Sequence, residues 1–178
     1  EQTAPFGAWP SPISASMVAA GAAPLSQVAL DGTDCYWLAG RASEAGRTTL
    51  MRQRGETVSE VTPAPFNVRS RVHEYGGGAS LVANGVAYFS HFSDNRLYVA
   101  ADGAAPSAGG ATRYADFVVD ASRSRILSVR EEHSAGAAYP VNTLCAVAFD
   151  GSETVLAEGA DFYAAPRLSP DGRAVAWL

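Results

Sequence analysis

YADFVVDASRSRILSV, at residues 114–129, aligns without gaps on YAAPRLSPDGRAVAWL, at residues 163–178, and this internal repeat decides the fold. Both segments begin with Tyr-Ala, place an apolar residue at the sixth position, and pass through a turn into an apolar strand. The second segment starts 49 residues after the first. About four short strands fit into that length, which is the size of one blade of a β-propeller.

Two further series of residues recur at nearly the same interval. Leu50, Leu97 and Leu144 are spaced 47 residues apart. A turn with Gly in second place follows each leucine, and such a turn lets adjacent strands reverse with the twist of a hairpin. These turns are Arg54-Gly55, Asp102-Gly103 and Asp150-Gly151. An earlier hairpin of each repeat is marked by Asp31-Gly32, Asn84-Gly85, the weaker match Ser122-Arg123, and Asp171-Gly172.

The pattern of apolar runs and turn residues predicts short strands from residue 25 onwards. We predict them at residues 27–30, 35–40, 49–53, 58–61, 79–83, 87–91, 97–100, 112–113, 117–120, 126–130, 144–149, 154–157, 166–168 and 174–178. Before them, residues 15–20 suit a short helix capped by Ser14, with Ile13 placed to staple against Val18. Gly21 suits the position just past its end.

The predicted fold is therefore all-β, an incomplete β-propeller of about three to three and a half four-stranded blades with a short N-terminal helical lead-in. The expected units are a lead-in at 1–24, blade 1 at 25–65, blade 2 at 66–113, blade 3 at 114–162 and the start of blade 4 at 163–178. Since this number of blades cannot close a propeller, we expect the 178 residues to be a piece or a cleavage product of a longer protein.

Composition excludes several kinds of partner. The net charge is -5 and all 13 basic residues are arginine, a poor basis for neutralising phosphates, so we expect no nucleic-acid binding. No apolar stretch is long enough to span a bilayer, and the opening residues lack the pattern of a signal peptide. A cytoplasmic location is expected, and the sequence does not decide whether a signal peptide was removed before residue 1.

Cys35 and Cys145 lie in apolar runs and are expected to be reduced core residues.

The densest polar segment is FNVRSRVHEYGGG at residues 66–78. Arg69, Arg71, His73 and Glu74 precede three glycines, which are expected to serve a bulge, a bend or a close backbone approach. The segment is either a crossover between blades with an Arg–Glu pair or a loop that faces a ligand or partner domain.

Two more segments offer candidate ligand-binding residues. VREEH at residues 129–133 contains Glu131 and Glu132, which are either a solvated pair or, facing a cavity, a receptor for a substrate ammonium group. Phe162 and Tyr163 offer an aromatic wall. Motifs for a nucleophile elbow, a zinc helix or a phosphate loop are absent. His73 and His91 fall in predicted blade 2 and His133 in predicted blade 3. All three are weak candidates for metal ligands, so neither a metal nor another cofactor is expected.

AWPSPIS, TPAPFNVRSRVHEYGGG, YFSHFSDNRLY, VREEH and ADFYAAPRLSPDGRAVAWL together resemble the N-terminal region of bacterial serine peptidases of the prolyl oligopeptidase family, in its acylaminoacyl-peptidase and aminopeptidase-like branch. The resemblance covers nearly the whole chain in order. SPDGR is a weak signal because many propellers contain it, whereas VRSRVHEYGGG is more specific.

The resemblance implies a seven-bladed propeller that caps a C-terminal α/β-hydrolase domain carrying the Ser-Asp-His triad. No residue of this chain would then be catalytic. The segment would gate the active site of an aminopeptidase or acylaminoacyl-peptidase that hydrolyses peptide or small amide bonds. Residues that would bind the substrate or its amino end are Glu74, Arg71, His73, Glu131, Glu132 and Tyr163.

Two other function classes stay open. One is a non-catalytic propeller that binds a protein or peptide partner. The other is a metal-dependent propeller hydrolase, which is less well supported because Asp, Glu and His do not recur at matching blade positions. Assembly into a homo-oligomer is undecided by the sequence.

Overall fold

The computed structural model describes residues 3–8, 10–21, 23–100 and 109–178. The protein is nearly all-β, as predicted, and its sheets are antiparallel and none of them is closed. No helix in the described ranges is long and apolar enough to cross a membrane.

Within the described ranges, four sheets follow one another, each with its strands in sequential order. After helix α1 (Ala15–Gly21), the first sheet contains β1 (Leu25–Asp31), β2 (Asp34–Arg41), β3 (Arg47–Arg54) and β4 (Thr57–Glu60). The second contains β5 (Ser80–Ala83), β6 (Val86–Ser90) and β7 (Leu97–Val99). The third contains β8 (Thr112–Asp120), β9 (Arg125–Glu132), β10 (Val141–Ala148) and β11 (Glu153–Glu158). The fourth pairs β12 (Arg167–Leu168) with β13 (Val175–Ala176).

The recurring leucines occupy equivalent places in the first three sheets. Leu50, Leu97 and Leu144 each lie on the third strand of their own sheet and are at most 1% exposed. The earlier turn series, including Ser122-Arg123, joins the first and second strands of every sheet. In the later series, Asp102-Gly103 lies outside the described residues. The internal repeat is therefore a repeat of strand position and of core burial.

One predicted strand belongs to a different sheet. Residues 112–113 were predicted as the fourth strand of the second repeat, but Thr112 and Arg113 pair with Glu132 and Glu131 of β9. They extend β8, the first strand of the third sheet, because its partner β9 continues to Glu132 and pairs with seven of the nine residues of β8 across a bulge. The prediction for this strand was wrong.

The lead-in helix begins where it was predicted. The Ser14 hydroxyl accepts the backbone N–H of Met17 at 3.1 Å, which is the expected N-cap bond. The predicted staple between Ile13 and Val18 gives little burial, since each residue is 62% exposed.

The sheets stack face to face, with one apolar cluster between each pair of neighbours. Tyr36, Leu38 and Phe89 belong to the cluster between the first and second sheets. Tyr114 and Ile126 belong to the next cluster. A third cluster joins the third sheet to the start of the fourth. The first strands lie side by side, with β5 packed between β1 and β8, and β8 against β12.

The carboxylate of Asp116 joins three of these first strands. Asp116 lies at a bulge in β8 with a φ of +58°, and its two oxygens accept the backbone N–H groups of Gly78 and Ala165. The backbone N–H of Asp116 in turn donates to the carbonyl of Gly78 at 2.8 Å. A Cβ on Gly77 or Gly78 would lie 3.0 or 2.9 Å from this carboxylate. The close backbone approach predicted for the glycine run is therefore confirmed.

Gly78→Ala is expected to lower the free energy of unfolding by about 1–3 kcal/mol, because the added methyl group overlaps the Asp116 carboxylate. Urea unfolding of the complete protein measures the loss. In an Asp116→Ala background the same glycine substitution should cost much less, since the overlapping oxygen is gone. An equal cost in both backgrounds would refute this steric explanation.

Candidate functional site

A cavity of about 480 Å³ opens at one end of the third sheet. The loop before β5, the end of β9, the loop from β9 into β10, and the loop after β11 form it. The lining residues are His73, Glu74, Glu131, His133, Tyr139, Pro140, Asn142, Asp161 and Phe162. The lining combines titratable groups with aromatic and apolar groups.

A polar row crosses three neighbouring strands beneath this cavity. Glu131 on β9 pairs directly with Arg113 on β8 and with Asn142 on β10. Directly opposed residues of an antiparallel sheet project from the same face. Arg113, Glu131 and Asn142 therefore lie side by side, although they are distant in sequence.

Glu131 is the buried centre of the row, with 2% of its side chain exposed. Its carboxylate accepts the backbone N–H of His73 at 2.7 Å, and Arg113 Nη1 donates to it at 3.1 Å. His133 Nε2 lies 2.7 Å from the same carboxylate. With three neighbours of this kind, Glu131 holds other groups in place and has little room to contact a ligand directly.

Glu74 provides the exposed carboxylate at the rim. Its side chain is 76% exposed and lies 2.7 Å from Arg113 Nη1. The hydrogen bond from Arg113 is the main reason why the pKa of Glu74 lies below its ordinary value, so the group is ionised at neutral pH. Both His73 and Glu74 adopt positive φ values, +56° and +65°, which few residues other than glycine do. This turn brings the two side chains to the cavity.

His73 connects the loop before β5 to the loop after β11. Its Nε2 lies 3.2 Å from the carbonyl oxygen of Tyr163, which can only accept, so Nε2 carries the proton. The ring packs edge-on against Phe162 with centroids 5.0 Å apart. The imidazole therefore forms a wall of the cavity and supports the aromatic ring beside it.

Glu74, Glu131 and His133 are also arranged closely enough to hold a cation, with ligand atoms within 4.8 Å of one another. Arg113 Nη1, however, already lies 2.7 Å from one carboxylate and 3.1 Å from the other. The guanidinium thus supplies the positive charge that a metal ion would bring. This donor set does not fit a resident metal ion.

The structure brings together three of the six residues proposed from the sequence: His73, Glu74 and Glu131. Arg71 contributes its backbone carbonyl, which accepts Arg113 Nη1 at 2.9 Å, while its guanidinium stacks on Phe92.

The other two proposed residues lie away from the cavity lining. Glu132 projects from the opposite face of β9, because successive strand residues alternate, and it pairs with Arg130. Tyr163 is 4% exposed within the third apolar cluster, and only its backbone reaches His73.

Sequence reasoning missed Arg113 and Asn142 and gave His133 only a minor place. A signal was available, since alternation along VREEH puts Glu131 and His133 on one face and Glu132 on the other. Nothing local indicated that Arg113 and Asn142 are the cross-strand neighbours of Glu131.

The fold and site together define a segment of stacked antiparallel sheets with a polar and aromatic cavity at one sheet end. Solved structures share this architecture. A puromycin-hydrolysing peptidase from Mycobacterium tuberculosis is 35% identical, with a TM-score of 0.82 over 99% of this chain and 31% of that chain. A puromycin hydrolase is 37% identical, with a TM-score of 0.83 over 99% of this chain and 31% of that chain. A serine-to-alanine mutant of puromycin hydrolase complexed with PGG is 37% identical, with a TM-score of 0.83 over 98% of this chain and 30% of that chain.

The resemblance seen in the sequence is thereby confirmed: the chain is homologous to serine peptidases of the prolyl oligopeptidase family. It spans about 31% of the length of these solved peptidases. No protein-family model matches the chain. No curated protein matches it either.

Proposed function

We propose that this chain is the propeller part of a serine exopeptidase, of aminopeptidase or acylaminoacyl-peptidase type, that hydrolyses peptide or small amide bonds. Homology at 35–37% identity to puromycin-hydrolysing peptidases, over nearly all of this chain, is the observation that supports the proposal. The nucleophile, base and orienting acid would lie in an α/β-hydrolase domain beyond these residues, and would act through an acyl-enzyme.

Within that enzyme, the proposed role of the segment is to gate the active site and to bind the amino end of the substrate. Residues 25–65, 66–113, 114–162 and 163–178 would contribute successive blades, and the location would be cytoplasmic. The hydrolase domain would be the partner of the propeller.

The charge balance of the cavity supports binding of an amino group. Two carboxylates, Glu74 and Glu131, share the single guanidinium of Arg113. The guanidinium of Arg71 affects Glu74 only electrostatically. The exposed Glu74 carboxylate keeps acceptor positions after pairing with Arg113, so it can receive a substrate ammonium group.

Glu74→Gln in the complete protein is expected to lower kcat/KM for an aminoacyl 4-nitroanilide by roughly 10- to 100-fold, because a charge-assisted hydrogen bond to the ammonium group is lost. The N-acetylated form of the same substrate should be affected less than threefold. Steady-state hydrolysis of the two substrates measures the difference.

Glu132→Gln is the matched control, since Glu132 lies outside the cavity lining and pairs with Arg130. It should change kcat/KM for either substrate less than twofold. Equal loss for the free and acetylated substrates in Glu74→Gln would contradict the binding role. A fluorophosphonate probe should label the complete protein, and failure to label would contradict the serine-peptidase proposal itself.

A further inference from the structure

Asn142 carries a buried acceptor that is not satisfied by the described part of the chain. The residue is 6% exposed, lines the cavity, and its Oδ1 has no hydrogen-bond partner among the described residues. Buried polar atoms are nearly always paired in native proteins. An unpaired oxygen in the wall of a cavity therefore points to a ligand that donates to it.

The orientation of this amide is determined by its other end. Asn142 Nδ2 donates to the backbone carbonyl of Asp161 at 2.7 Å. A carbonyl cannot donate, so the NH₂ group must face Asp161 and the oxygen must face away from it. Flipping the amide would oppose two oxygens. The free acceptor at Oδ1 is thus a consequence of the backbone beside it.

The surroundings of Asn142 define what kind of donor fits. Glu131 lies directly across the strand pair, and Glu74 stands at the rim of the same cavity. Together they favour a cationic donor, because Arg113 balances only one of the two negative charges. Tyr139 and Phe162 line the same cavity and suit an aromatic or aliphatic body.

We infer that Asn142 is a specificity-determining residue whose Oδ1 accepts a hydrogen bond from the primary amino group of a ligand with an apolar side chain. This inference rests on the proposed function and deepens it. A primary ammonium group has three donors, so a group that donates to Asn142 keeps two donors for other acceptors that line the cavity. A ligand that lacks the amino group leaves Oδ1 unpaired and gains nothing from Asn142.

Calorimetric binding to the complete protein tests the inference with two probes that cannot be hydrolysed. L-Phenylalaninol has the amino group, and 3-phenylpropan-1-ol is the same molecule without it. Asn142→Ala is expected to raise the Kd for L-phenylalaninol roughly 5- to 30-fold. It should change the Kd for 3-phenylpropan-1-ol less than twofold.

Asn142→Asp distinguishes the role of Asn142 as a hydrogen-bond acceptor for the ligand from its role in anchoring the loop after β11 through Asp161. It keeps an oxygen acceptor but sets a carboxylate oxygen against the Asp161 carbonyl, so the loop loses its anchor while the acceptor remains. L-Phenylalaninol should therefore bind more tightly to Asn142→Asp than to Asn142→Ala. If both variants instead weaken both probes equally, Asn142 only anchors the loop and the inference fails. It also fails if the wild type does not prefer L-phenylalaninol. Hydrolysis of aminoacyl 4-nitroanilides by the wild type is measured separately. If the wild type hydrolyses them but the binding results are not as expected, only the role of Asn142 is contradicted. If it does not hydrolyse them, the proposed function is contradicted.

Discussion

Replacing Arg113 by alanine is expected to destabilise the third sheet by about 3–5 kcal/mol, because it leaves Glu131 as a buried carboxylate without its guanidinium. The Glu131 side chain is 2% exposed and that of Arg113 is 16% exposed, so water cannot easily replace the lost partner. The backbone N–H of His73 and the imidazole Nε2 of His133 would each remain 2.7 Å from the carboxylate, but neither supplies the permanent charge of the guanidinium. The same substitution would also release Glu74 from its hydrogen bond to Arg113.

Hydrogen exchange of the complete protein, read peptide by peptide, measures this effect. Amides of β8, β9 and β10 should exchange roughly 100- to 5,000-fold faster in Arg113→Ala, while amides of the first sheet should change little. Combining Arg113→Ala with Glu131→Gln should recover part of the loss, because the uncompensated charge is removed.

Arg123→Ala is the matched control for the loss of an arginine. Arg123 is 47% exposed, and its partner Asp120 keeps a second arginine, Arg125, at 2.9 Å. Its loss should cost no more than about 1 kcal/mol. If Arg113→Ala destabilises the third sheet no more than Arg123→Ala does, the buried ion pair between Arg113 and Glu131 does not make the predicted contribution to stability.

The second large effect concerns the repeat itself. Leu144→Ala should lower the free energy of unfolding by about 2–5 kcal/mol, since Leu144 is fully buried in the cluster between the third sheet and the start of the fourth. Leu50→Ala and Leu97→Ala should fall in the same range, because both leucines occupy the equivalent strand and are buried to the same degree.

Leu156→Ala serves as the control for this series. Leu156 lies on β11, the outermost strand of the third sheet, and is 38% exposed. Its truncation should cost about 1 kcal/mol or less, because little apolar surface is removed from the core. Urea unfolding of the complete protein gives the comparison. Similar losses for Leu144→Ala and Leu156→Ala would show that the 47-residue spacing does not mark core positions.

The strands were predictable because their signals are local. Asn84-Gly85 and Asp171-Gly172 are turn residues whose backbone conformation suits a tight reversal, and the runs beside them form β5, β6, β12 and β13. The strand at residues 112–113 was placed in the wrong sheet, because strand length depends on the partner strand and not on the residues alone.

The candidate site was only half predictable. Glu74, His73 and Glu131 stood out as charged or titratable residues in unusual segments, and the fold brings them to one cavity. Arg113 and Asn142 stood in ordinary strand sequence and gave no signal of their own.

By itself, the sequence determined the all-β class, the order of the hairpins, the spacing of the recurring leucines and the family resemblance, because these are read from residue types and their positions along the chain. Only the tertiary structure decided that Arg113 and Asn142 flank Glu131, that Glu132 and the Tyr163 side chain face elsewhere, and that Asp116 meets Gly78. The register between strands and the packing between sheets set these contacts, and both depend on residues that are far apart along the chain.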